Sequence, residues 1–300
     1  MKTQKVASLA AVLFVTLSAP PLTRAQPVSA AAATRHSLWK VEGKRNKVYL
    51  LGSVHALKPE NYPLAAPIES AFTNAQVVVL ETEQEALEKP AVQQKIFSQG
   101  RLPEGETLSK QLSEPVYKRS AEQMKQSGFP AEMFDQLKPP LAMMTLVVLE
   151  MQKLGLDPEY GLDKHFANRA RKDGKEIVPL ETVDFQVGLL TGFTKEEGEA
   201  LVKTTLADLG KMKTELPELV KAWETGDTAK LEKLLNQAME EEPVIFKRLV
   251  TDRNRSWLPK LQELAGGEKN VIVIVGAGHL VGKEGVVEML RKTGLRIAQQ

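Results

Sequence analysis

Four residues able to ligate a metal or move a proton stand at comparable places in this 300-residue chain: His55, Glu81, Glu181 and His279. His55 closes the run Val48-Tyr49-Leu50-Leu51-Gly52-Ser53-Val54-His55. His279 closes Val271 to Val275 followed by Gly276-Ala277-Gly278-His279, so both are Gly-x-x-His just past an apolar stretch. Val77 to Leu80 runs straight into Glu81 and Ile177 to Leu180 into Glu181, each followed by threonine. Imidazole and carboxylate together form a borderline-to-hard ligand set suited to Zn²⁺, Mn²⁺, Co²⁺ or Fe²⁺. The chain has no cysteine, which removes thiolate ligands and thiolate nucleophiles. The competing reading is a polar cluster that is structural, or that binds substrate without a metal. Glu83, two residues past Glu81, is a spare carboxylate on the same side of a continuing strand. Arg253, beside Asn254 and ahead of Trp257 on an amphipathic stretch, is a candidate to pair with Glu81 or Glu181 and so orient a ligand or hold a substrate oxygen. His165, at a helix start, reads as an N-cap or surface residue, and His36 reads as inert. Gly276-Ala277-Gly278 completes neither the Gly-x-Gly-x-x-Gly nor the Walker pattern, so it is not read as a phosphate loop.

Such residues meet if the apolar runs are neighbouring strands, because in an open α/β sheet ligands bind at the carboxyl ends of the strands. Ser37 to Val41 and Lys47 to Val54 read as hairpin strands about Gly43-Lys44-Arg45-Asn46. Leu64, Ile68 and Phe72 mark a short amphipathic helix, and Ala75 to Leu80 is a Val-rich run of the buried parallel type, which makes a βαβ unit. Residues 83 to 174 are mainly helical, broken at several prolines. Leu141 to Leu154 is apolar nearly all round and should be buried, with Met143, Met144 and Met151 as core. Glu176 to Leu180 reads as another buried strand. Thr194 to Gly266 reads as three or four amphipathic helices, with breaks at Gly226-Asp227 and Glu242-Pro243. Asn270 to Val275 is the most apolar strand, Lys283 to Lys292 a helix ended by Gly294, and Leu295 to Ala298 a last strand. The pattern predicts an α/β fold: a mixed, mainly parallel central sheet flanked by helices, with residues 194–266 as a long helical insertion over one end. No period of 20–50 residues recurs, which excludes a solenoid.

Lys2 and Lys5 precede an apolar run of about 14 residues from Val6 to Ala19, closed by Pro20 and Pro21. That run is shorter than the roughly 20 residues a membrane-spanning helix needs, so residues 1–25 read as a signal peptide cleaved after Ala25, with Ala30 as the alternative. A flexible leader over 26–36 and one domain over 37–300 follow, exported to the periplasm or beyond, with no membrane span left after cleavage. The chain carries 40 basic and 38 acidic residues, and removal of Lys2, Lys5 and Arg24 leaves 37 basic. The mature protein is near neutral and has no basic stripe interleaved with aromatics, which argues against a nucleic-acid partner.

Read in order, Leu38-Trp39-Lys40, Gly52-Ser53-Val54-His55, Val79-Leu80-Glu81, Gly161-Leu162-Asp163, Leu180-Glu181-Thr182 with Gln186, Arg253-Asn254 with Trp257, and Val275 to Gly282 span nearly the whole mature chain. As a set they resemble the TraB/GumN family, which is related to the Tiki metalloproteases. Ser53 stands where many relatives carry threonine, and both have a hydroxyl. The resemblance implies an α/β fold whose two Gly-x-x-His motifs and a glutamate gather at one metal-dependent site, here His55, Glu81 and His279. Tiki-like members are proteases that use Mn²⁺ or Co²⁺. The expectation is therefore a divalent-metal-dependent hydrolase of metallopeptidase type acting on a peptide or protein substrate, with Glu181 as a further ligand or general base and Arg253 assisting. The alternative is an exported binding protein that holds a peptide, a haem or a partner in the same cleft without turnover.

Overall fold

The computed structural model describes residues 35–236 and 242–300. The expected signal peptide, and the leader as far as residue 34, lie outside the described residues. Among the described residues six strands form one sheet: β1 (Leu38–Glu42), β2 (Lys47–Ser53), β3 (Val77–Leu80), β4 (Glu176–Pro179), β5 (Val271–Gly276) and β6 (Arg296–Gln299), in the order β4-β3-β5-β2-β1-β6. The pairs β2–β5, β3–β5 and β3–β4 are parallel, while β1 runs antiparallel to both β2 and β6. With helices flanking it, this is the mixed, mainly parallel α/β sheet that the strand pattern predicts.

Position in the sheet follows apolar content. All six residues of β5 are buried, as are all four of β3, and these strands need neighbours on both sides. The strand β6 alternates exposed and half-buried residues and closes one edge. The strand β4, expected to be buried, closes the other edge, with Glu176 and Pro179 exposed and Ile177 and Val178 half-buried. Pro179 has no N–H to give to a further strand, so an edge suits it. The βαβ unit also takes a different form from the simple expectation. The helix Ala66–Asn74 does connect parallel strands, but β5, about 190 residues on in sequence, inserts between β2 and β3.

The segment 194–266 supplies the helices Lys195–Leu209, Met212–Glu224, Thr228–Leu235, Pro243–Phe246 and Asp252–Ala265, with a π-helical turn over Lys247–Thr251. The Asp227 carboxylate caps the third of these by accepting from the Lys230 N–H at 3.0 Å. Met212, Leu216, Trp223, Leu235, Trp257 and Leu261 join the same apolar cluster as the sheet. The helix Lys195–Leu209 instead packs on Pro139–Lys153, where Val202 and Leu206 meet Met143 and Leu146 in a second cluster with Leu108, Met124 and Phe134. Met143 and Met151 are core, while Met144 is half-buried. Trp223 ties the helix Met212–Glu224 to the carboxyl end of β2 by donating its Nε1–H to the Gly52 carbonyl at 2.7 Å.

Candidate active site

The strand order puts the carboxyl ends of β4, β3, β5 and β2 in a row, and Glu181, Glu81, His279 and His55 emerge from them in that order. Arg253, near the start of the helix Asp252–Ala265, enters this row from above and is 1% exposed; Glu81 is 6% and His279 4% exposed. A charge so deeply buried must be paired. The Arg253 guanidinium has five N–H groups and finds five acceptors. Nε and Nη2 grip the two oxygens of Glu181 at 2.8 Å each, Nη2 also donates to Glu81 Oε2 at 2.6 Å, and Nη1 donates to the Leu249 carbonyl at 3.3 Å and to His279 Nε2 at 3.1 Å. Arg253 thus pairs with both candidate glutamates and keeps no donor for a substrate oxygen.

Glu181 is equally committed. Besides Arg253, its Oε1 accepts from Trp257 Nε1 at 2.9 Å and its Oε2 from Gln186 Nε2 at 3.1 Å, which fills four lone-pair positions. Its geometry is that of a residue that positions Arg253. Glu81 Oε1 accepts from the Gly276 N–H at 2.7 Å and lies 3.9 Å from His279 Nε2. Burial works against its charge, but the adjacent Arg253 and the Gly276 N–H outweigh this and hold Glu81 at about 2.

Both imidazoles are oriented through Nδ1. His55 Nδ1–H donates to Asp163 Oδ2 at 2.6 Å, and the same oxygen accepts from Ser53 Oγ at 2.5 Å. His279 Nδ1–H donates to Asn254 Oδ1 at 2.7 Å. Each ring therefore turns Nε2 toward the interior of the cluster, the arrangement in which a second partner fixes tautomer and direction for a metal-ligating histidine. The two differ in charge. Burial disfavours the cation in both, yet Asp163, with Glu81 behind it, lifts His55 to about 9. Burial and then the Arg253 guanidinium push His279 down to about 3.

Asp163 reaches His55 because the helix Leu162–Lys172 starts against the backbone of the histidine segment, with the Leu162 N–H on the Val54 carbonyl at 3.2 Å. A side chain on Gly161 would lie 2.3 Å from the His55 carbonyl, so glycine is required for that approach. Asp163 carried a sequence signal that its motif alone does not interpret. It stands three and four residues before Phe166 and Ala167, on the buried stripe of its helix, where an unpaired charge is costly.

Gly276 sits at the centre of the cluster. A Cβ there would lie 3.3 Å from His55 Nε2, 3.4 Å from Glu81 Oε1 and 3.5 Å from His279 Cδ2. This chain belongs to the TraB/PrgY/gumN family. The family model matches residues 37–299, the whole described fold from β1 to β6. Two relatives, both called uncharacterized protein YbaP, from Shigella flexneri and from Escherichia coli strain K12, are 25% identical over 275 residues, covering 90% of this chain and 99% of each relative. No solved structure matches the chain significantly.

The donor set suits a divalent metal in chemistry: two imidazoles held by Nδ1 and one carboxylate face a common cradle that a single Cβ would fill. Among the described residues, no three His, Asp or Glu side chains already stand close enough to grip an ion. For an ion to be held there, the Arg253 contact on His279 Nε2 would have to open. Two other expectations change. Glu83 is exposed and begins the short helix Gln84–Glu88, outside the cluster, because the strand ends at Leu80. His165 is neither an N-cap nor a surface residue, since Gly161 occupies the cap and the half-buried His165 ring lies 4.7 Å from that of Tyr62. His36 is tied through Nδ1 to the Glu224 carbonyl at 2.9 Å, away from the cluster.

Beside His55 a small apolar cavity of about 30 Å³, walled by Met151, Met212, Leu216 and Leu235, has room for a water or two. Glu215 joins its wall with Oε2 buried and without a hydrogen-bond partner, and burial raises the Glu215 pKa. Leu216 also lines a larger open groove of about 590 Å³, with Leu154, Leu156 and Pro217 beneath and Lys58 and Lys221 at its rim.

Proposed function

We propose that this protein is a divalent-metal-dependent hydrolase that cleaves amide bonds in a peptide or protein substrate. The observation that carries the reading is the cradle at Gly276, where His55 Nε2 and Glu81 Oε1 meet beside a His279 ring already oriented through Nδ1. His55, Glu81 and His279 would hold the ion, which when bound supplies a Lewis acid and an activated water at neutral pH.

The remaining residues have roles their contacts support. Asp163 and Asn254 hold the two rings with Nε2 inward, so that little motion separates the empty and loaded forms. Arg253, clamped by Glu181 and Trp257, keeps Glu81 ionised and in place. With Glu181 fully engaged, the carboxyl better placed to carry a proton is Glu215, whose Oε2 is buried and unpaired in the wall of the cavity beside His55. The open groove, which shares Leu216 with the cavity at His55, suits an extended substrate. The pattern of residues 1–25 supports export, so the substrate would be met outside the cytoplasm.

Metal analysis of the purified protein tests this, wild type against His55→Ala, His279→Ala and Glu81→Gln, together with cleavage of a peptide library. The expected result is one metal per wild-type chain, loss of metal and cleavage together in each variant, and turnover restored by Mn²⁺, Co²⁺ or Zn²⁺. Full occupancy in both histidine variants would remove the site as drawn. Metal without turnover of any peptide would favour the binding-protein alternative.

A further inference from the structure

We propose that Arg253 is a built-in cation that competes with the metal for His279, so that the affinity of the site is set by how readily the guanidinium lets go of the His279 Nε2 lone pair. The inference rests on the metal reading above and concerns how the empty site is kept folded and closed.

The five contacts of Arg253 fall into two groups. Those to Glu181 and to the Leu249 carbonyl are anchors that touch none of the expected ligands. Glu181 is itself fixed by Trp257 and Gln186, and the Leu249 carbonyl belongs to the π-helical turn Lys247–Thr251 that leads into the Arg253 helix. Such turns leave backbone groups outside the regular ladder and recur at functional sites. The other contacts, Nη2 to Glu81 Oε2 at 2.6 Å and Nη1 to His279 Nε2 at 3.1 Å, fall on two of the three expected ligands. The imidazole lone pair cannot serve a guanidinium N–H and a metal at once, and two positive charges at this distance repel in a buried site.

The guanidinium therefore does in the empty protein part of what the metal does in the loaded one. It neutralises Glu81, occupies the lone pair of His279 and prevents two buried carboxylates from facing each other unpaired. Metal entry leaves the grip on Glu181 and the contact to Glu81 Oε2 intact, since Glu81 faces the cradle through Oε1, and breaks the contact to His279 Nε2. The lost contact is one charge-assisted hydrogen bond, which places the cost to affinity at about 10- to 100-fold.

The test is calorimetric titration of Mn²⁺, and separately of Zn²⁺, into the full chain: wild type, Arg253→Met, and the double variant Arg253→Met with Glu181→Gln. The double variant removes the guanidinium together with the charge of its main partner, so it leaves one buried carboxylate without the guanidinium where the single variant leaves two. Circular dichroism reports which variants are folded. Tighter 1:1 binding by about 10- to 100-fold in a folded variant, abolished by adding His279→Ala, is the expected result. Affinity equal to or weaker than wild type in the double variant, or no binding by any form, would overturn the proposal. The readout is affinity and not turnover, so absence of peptide cleavage counts against the hydrolase reading alone.

Discussion

Adding one methyl group at Gly276 is the most direct perturbation of the cradle. The backbone there has φ −47° and ψ 133°, which any L-residue adopts, so Gly276→Ala introduces no backbone strain. The new Cβ would stand 3.3 Å from His55 Nε2, 3.4 Å from Glu81 Oε1 and 3.5 Å from His279 Cδ2, at or inside ordinary van der Waals contact with three groups at once. Only the His55 ring, at 3.3 Å, is closer than ordinary contact and must give by a few tenths of an ångström. Overpacking of this size costs about 1 kcal/mol, read as a melting shift of about 2–4 °C for a chain of this length. The effect on function should be far larger. The methyl takes the space the ligands face, and small misplacements of reacting groups cost about 100-fold. Calorimetry should report metal affinity falling below detection, and peptide cleavage should drop at least about 100-fold, while circular dichroism stays at wild type. Gly188→Ala is the control. It lies in the helix Val183–Thr191 with nothing within 4 Å of the added Cβ, and should raise stability by about 0.5–1 kcal/mol through helix propensity without touching activity. Wild-type metal affinity and turnover in Gly276→Ala would refute the assignment of the cradle as the reaction centre.

Two further outcomes follow from the contacts around the cluster. Asp163→Ala frees the His55 ring and should weaken Mn²⁺ or Zn²⁺ binding by about 10- to 100-fold with the fold retained; unchanged affinity in titration calorimetry would show that the ring needs no such partner. Burial and then Arg169 depress His165 from 6.5 to about 4, so the unfolded chain binds its proton more readily than the folded one. Its contribution is complete above pH 6.5 and is lost as the pH falls toward 4, by at most about 3 kcal/mol. Denaturant melts at pH 7, 5.5 and 4 should show a decline that His165→Phe flattens, and parallel profiles for the two proteins would contradict the argument.

Strand identity and the side chains that gather at the strand ends were legible in the amino-acid sequence because both are local. A run such as Val271 to Val275 is apolar enough to require burial on both faces, and a histidine or glutamate at its end must emerge at one edge of whatever sheet it joins. That reasoning finds His55, Glu81, Glu181 and His279, and the motif set finds the family. It does not give strand order, which depends on which apolar faces are satisfied together. Only the folded chain puts β5 between β2 and β3, demotes β4 to an edge and carries Glu83 away from the site. Nor does it give the hydrogen bonds that assign roles: Asp163 meets His55 across 108 residues and Arg253 meets Glu81 across 172. Such contacts are set by the packing of whole helices on the sheet, which local sequence does not encode one residue at a time. Sequence could place Arg253 beside a glutamate; only the tertiary structure decides that all five of its N–H groups are spent, because saturation is a property of the enclosed cluster and not of any segment within it.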